Sequence, residues 1–122
     1  MKKNFFYPLC FLVLIACGNT RKSTTVPGSI FSTLPSCLQD QVLKIEKNEH
    51  PDAPIQIDEY EYQGKRVFLF TADCCDHYNI VFDENCKGIC APSGGIDGRG
   101  DRKCSGFLEE AKHIRLVYKK KS

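Results

Sequence analysis

The stretch "RVFLFTADCCDHYNIVF", residues 66–82, decides the fold. Val67 to Phe70 are apolar at consecutive positions. Such a run predicts a central strand buried on both faces. In "YNIVF" the pattern alternates, which predicts a second strand with Tyr78, Ile80 and Phe82 pointing inward. Between the two lie Cys74 and Cys75, flanked by Asp73, Asp76 and His77. Adjacent thiols in that place have three readings: a metal site, a redox centre, or halves of two separate disulfides. The choice depends on the compartment in which the chain folds.

The N-terminus speaks to that compartment. "MKKNFFYPLCFLVLIACGNT" begins with Lys2 and Lys3 and continues as an apolar run from Phe5 to Ala16, broken only by Pro8. The run is shorter than the roughly 20 residues a spanning helix needs. It has the form of a secretory signal. Leu14-Ile15-Ala16-Cys17 resembles a bacterial lipobox. That resemblance implies a signal peptide over residues 1–16, cleavage before Cys17, and fatty acylation of Cys17 with chains such as palmitate. Two or more acyl chains hold a protein stably on a membrane. Residues 17–32, polar and rich in Ser, Thr and Gly, are then expected to form a flexible tether.

Composition bounds the remainder. Loss of Lys2 and Lys3 leaves 15 Lys and Arg against 15 Asp and Glu. Nothing in that balance points to nucleic acid. Residues 33–122 form one domain of about 90 residues, small enough to be marginal without covalent help. Six cysteines remain besides Cys10 and Cys17: Cys37, Cys74, Cys75, Cys86, Cys90 and Cys104. In an exported domain this reads as a disulfide framework of three bridges. Cys74 and Cys75, on opposite faces of a strand, would enter two different bridges. The spacing leaves the pairing open.

The other elements follow outward from the central strand. Ser36-Cys37-Leu38-Gln39 has capping-box form, and Leu38, Val42 and Ile45 recur at helical spacing. A helix over 36–47 is expected, with Cys37 tying it to the sheet, and Pro51 and Pro54 beyond its end. "IQIDEYEY" changes phase, so a β-bulge near Asp58-Glu59 is expected to bring Ile55, Ile57, Tyr60 and Tyr62 to one side. Gln63-Gly64 is expected to make a hairpin turn. A short strand is expected around Ile89-Cys90, then a Gly-rich loop to Cys104. A short helix over 106–113 and a last strand carrying Ile114, Leu116 and Tyr118 complete the chain. The class is α+β: an antiparallel sheet of three to five strands, packed with an N-terminal helix and stapled by disulfides.

"YEYQGKRVFLF", "ADCCD", "FDENCKGIC" and "APSGGIDGRGDRKC" together resemble an uncharacterised domain family found in small lipoproteins of Bacteroidetes-type bacteria. The resemblance spans residues 36–107. It implies an exported domain and assigns no catalytic residue.

Several constellations compete as sites. Asp73, Cys74, Cys75, Asp76 and His77 are residue types that bind metals, but adjacent cysteines seldom converge on one ion. No Cys-x-x-Cys is present for thioredoxin-type chemistry. No Gly-x-Ser-x-Gly nucleophile elbow accompanies His50, His77 and His113; His50 reads as a loop residue and His113 as the end of the short helix. Asp97 and Asp101 lie in the glycine loop without the ligand spacing of an EF-hand. A loop pinned at both ends is preorganised for binding, so Asp97, Arg99 and Asp101 are the expected contact residues. The sequence thus points to a non-enzymatic, lipid-anchored domain with no cofactor and no bound metal. It is expected on the outer membrane facing the periplasm, or on the cell surface. Its partners would be the membrane, through Cys17, and a protein or envelope ligand. The alternative is a small metal-dependent protein or enzyme using residues 73–77.

Overall fold

The computed structural model describes residues 25–74 and 76–122. The signal segment and Cys17 therefore lie outside the described residues, as does Cys75. The element order is α1 (Gly28–Phe31), α2 (Ser36–Glu46), β1 (Gln56–Tyr62), β2 (Lys65–Thr71), β3 (Tyr78–Phe82), β4 (Gly88–Gly94), α3 (Phe107–Glu110) and β5 (Lys112–Lys119). The strands form one antiparallel five-stranded sheet in the order β4-β3-β2-β1-β5. The expected α+β class is what forms.

β2 is the middle strand, and its apolar run is buried from Val67 to Phe70. Phe68 and Phe70 enter a cluster with Leu38, Val42 and Ile45 of α2, together with Ile57, Val117 and Tyr118. Val67 and Leu69 face the other way, into a cluster with Val81, Cys90, Cys104 and Phe107. Alternate side chains of one strand thus serve two cores. This is why the stretch reads as continuous rather than alternating.

The hairpin between β1 and β2 turns on Gln63 (φ 51°) and Gly64 (φ 71°). Two positive φ values are what a two-residue turn compatible with strand twist requires. Register runs from Tyr62↔Lys65 to Gln56↔Thr71 without interruption. The irregularities fall on the other side of β1, against β5, between Ile57 and Asp58 and between Glu59 and Tyr60. A bulge therefore exists where expected, but it does not bring the apolar side chains together. Ile57 sits in the α2 cluster, whereas Tyr60 and Tyr62 pack on Phe107 across the sheet, with centroids 5.2 and 5.0 Å away. Both faces are covered, so each set finds its own core.

Other expectations are corrected in detail. Helix α2 starts behind Pro35 as the N-cap, so Ser36 does not cap it. Gln39 Nε2 instead donates to the Leu34 carbonyl at 2.9 Å. The short C-terminal helix ends at Glu110 because Ala111 is extended (ψ 134°), and Lys112 and His113 pair with β1. His113 is thus a strand residue. In β3, Val81 is the fully buried side chain, and Tyr78 is half exposed. Val26 is buried in the α2 cluster, and the Thr25 backbone N–H donates to Glu46. Packing thus fixes the chain within the segment expected to be tether, ahead of residue 33.

Among the described residues two disulfides form, Cys37–Cys86 and Cys90–Cys104. The first ties α2 to the β3–β4 turn, and the second joins β4 to the end of the glycine loop. Cys74 takes part in neither. It lies beyond β2, in an exposed turn rather than on a sheet face, and the four cysteines it was expected to share have closed on one another.

Candidate functional site

Two surfaces carry the residues singled out from the sequence. The first is the loop from Gly95 to Cys104. Asp97 Oδ1 accepts from the Arg99 N–H at 3.0 Å, and Asp97 Oδ2 from Arg102 Nη2 at 3.1 Å. Asp101 Oδ1 accepts from the Lys103 N–H at 3.0 Å. Both carboxyls are held below the ordinary carboxylate value, Asp97 first by the Arg99 amide and Asp101 first by the Lys103 amide. These acceptors are committed to shaping the loop's own turns.

The loop also folds back along the outer edge of β4. The Asp101 N–H donates to the Ala91 carbonyl at 2.9 Å, and the Gly100 N–H to the Gly94 carbonyl at 3.0 Å. Gly100 has a φ of 67°, and a Cβ there would lie 1.9 Å from the Ala91 oxygen. Only glycine permits this approach. Covering a sheet edge is itself a structural role. What the loop offers outward is Ile96, 99% exposed, with Arg99 exposed nearby in sequence. Arg99, Arg102, Pro92 and Ser105 border a shallow hollow.

The second surface is a cleft of about 1000 Å³ between the α2–β1 loop and the β2–β3 turn. Phe70, Ile80 and Phe82 give it apolar lining, with the two phenylalanine rings 4.7 Å apart. Asp52, Asp73 and Asp76 line it as well, against one lysine, Lys120. Lys120 Nζ lies 3.3 Å from Asp73 Oδ2. The Asp76 carboxyl is held below its ordinary value, first by a hydrogen bond from the Cys74 side chain, then by its own backbone N–H and by His77. His50, also in the lining, places Nε2 2.9 Å from Gln41 Oε1, while its buried Nδ1 has no hydrogen-bond partner.

The sequence therefore located both surfaces only in part. Asp73, Asp76 and His77 do share a cavity wall. Their companions Asp52, His50 and Lys120 come from separate stretches with no motif to mark them, although the prolines at 51 and 54 announced the loop that carries two of them. Among the described residues no three His, Cys, Asp or Glu side chains are placed to hold a metal ion together. No helix among them is long and apolar enough to cross a membrane.

A family model described as a domain of unknown function, DUF6970, matches residues 43–120. No curated protein matches the chain, and no solved structure does. The matched segment takes in the whole sheet, the cleft's carboxylates and the glycine loop. The two disulfides are consistent with an exported protein.

Proposed function

The chain belongs to the DUF6970 family of domains of unknown function, and from that premise we propose that it is an exported, non-enzymatic binding module. In this reading it is anchored through acylated Cys17 to the outer membrane, facing the periplasm. The loop closed by Cys90–Cys104 meets a protein or another envelope component.

The observation that carries this reading is Ile96. An isoleucine 99% exposed gains nothing for the fold. It stands on a loop whose carboxylates and close backbone contacts are spent on holding one shape. Fixing a loop in advance lowers the entropy lost on binding. An apolar tip next to exposed arginines has the composition of an interface anchor.

The test is a photo-crosslinking side chain at position 96 in the lipidated protein, in its own envelope. The expected result is one discrete adduct, reduced when Cys104→Ser opens the loop, and none from position 43 on the exposed side of α2. Equal smears from both positions would retire the reading. Mass spectrometry of the same material is expected to show an N-terminal acylated Cys17.

The second reading, an enzyme using residues 73–77, draws support from Asp73, Asp76 and His77 lining one cleft of about 1000 Å³.

A further inference from the structure

We propose that the cleft between the α2–β1 loop and the β2–β3 turn is a binding site for a small organic cation, an ammonium group on an apolar body. The cavity is of ligand size, about 1000 Å³. Its lining divides into two kinds of surface. Phe70, Ile80 and Phe82 supply the apolar part, and Tyr78, half exposed, adds a third ring. Three carboxylates, Asp52, Asp73 and Asp76, face a single lysine. Lys120 is engaged with Asp73. Asp76 accepts from the Cys74 side chain and has His77 beside it, whereas Asp52 has no ion pair among the described residues, so the carboxylates of the lining outnumber its one lysine.

The hydrogen-bonding inventory leads to the same class of ligand. Carboxylates only accept. His50, also in the lining, has Nε2 donating to Gln41 Oε1, which leaves Nδ1 as an acceptor too. An ammonium has three donors and no acceptor. Aromatic faces also attract cations and suit the apolar body that carries one. An anionic ligand would meet carboxylates and gain nothing from this lining. This site is separate from the loop of the preceding section, and either can fail without the other.

The experiment uses the full chain in detergent with three probes: 2-phenylethylamine, phenylacetate and ethylamine. NMR titration is expected to show saturable binding of 2-phenylethylamine, with a Kd of about 1 mM or tighter. The shifts should centre on Phe70, Ile80 and Phe82. Phenylacetate, with the charge inverted, and ethylamine, without the apolar body, are expected to bind at least tenfold more weakly. Asp52→Asn and Asp76→Asn should each weaken the amine severalfold at unchanged melting temperature. Lys120→Met should tighten it, because Asp73 is then released from its internal partner. Asp97→Asn, in the glycine loop, is the neutral control. Equal binding of phenylacetate, shifts centred elsewhere, no saturation by 2-phenylethylamine, or indifference to Asp52→Asn and Lys120→Met would each overturn the proposal.

Discussion

Arg115 Nε lies 2.7 Å from Glu59 Oε2, so the last strand holds a buried carboxylate of the first. Arg66 grips the other oxygen at 2.6 Å, and both arginines also bond Thr33, through its carbonyl and its hydroxyl. The network joins β1, β2, β5 and the segment before α2 at a single point. Burial alone would raise the Glu59 carboxyl. The hydrogen bonds and charges of the two arginines outweigh burial and hold it below its ordinary 4.5.

Glu59 therefore stabilises the fold while ionised. A depressed folded pKa contributes stability above the unfolded value, and that stability is lost as pH falls through the folded value. Urea titrations between pH 7 and pH 3 are expected to show stability falling below about pH 4.5. In Glu59→Gln that fall should be shallower, on a baseline lower by about 2 kcal/mol at pH 7, less than for a fully buried pair because both arginines are partly exposed.

The two disulfides should differ in worth. Cys37–Cys86 spans 49 positions and Cys90–Cys104 spans 14. By loop-closure entropy the first is worth about 4 kcal/mol and the second about 3 kcal/mol. Equilibrium unfolding of the paired Cys→Ser variants should place C37S/C86S as the less stable. The reverse order would show that the loop bridge acts on the folded state rather than on the unfolded chain.

Two glycines of the loop make a matched test. Gly100 and Gly98 both have positive φ, 67° and 73°, but only at Gly100 would a Cβ strike backbone, while at Gly98 it meets nothing within 4 Å. Gly98→Ala is expected to cost about 1 kcal/mol, the conformational penalty alone. Gly100→Ala should cost at least about twice that, since Ala91 must move. Thermal melts of both variants check the ratio.

Phe107 is completely buried and packs edge-on to Tyr60 and Tyr62. Phe107→Ala should cost about 3–5 kcal/mol, measured by denaturant titration. The second core should loosen while the α2 side keeps its hydrogen-exchange protection.

The central strand was legible because a short apolar run, rich in Val and Phe and closely following the Gln63-Gly64 turn, suits a strand covered on both faces. Gln63-Gly64 was legible because the turn needs positive φ. The side assigned to Tyr60 and Tyr62 was not, because their cover is Phe107, which lies 47 and 45 positions further along the chain. The extent of the short helix was misread for a related reason. "GFLEEAKH" suits a helix locally, but pairing of Lys112 and His113 with β1 takes them for the sheet. Adjacent cysteines suggested two staples, yet Cys74 lies in a turn beyond the strand. The cleft was illegible as a unit. Its walls come from α2, a proline-bracketed loop, two strands and the C-terminal tail, and no local spacing links them.

The backfolded loop has one more effect, on how copies of this molecule meet. A sheet can be lengthened sideways only where its outermost strand still has unused backbone groups, and along residues 91–94 the carbonyls of β4 are partly taken from within. The opposite margin, β5, has no such cover among the named strands. A strand laid along β4, by contrast, would have to displace the loop's bonds to Ala91 and Gly94, which guards that margin against sideways pairing.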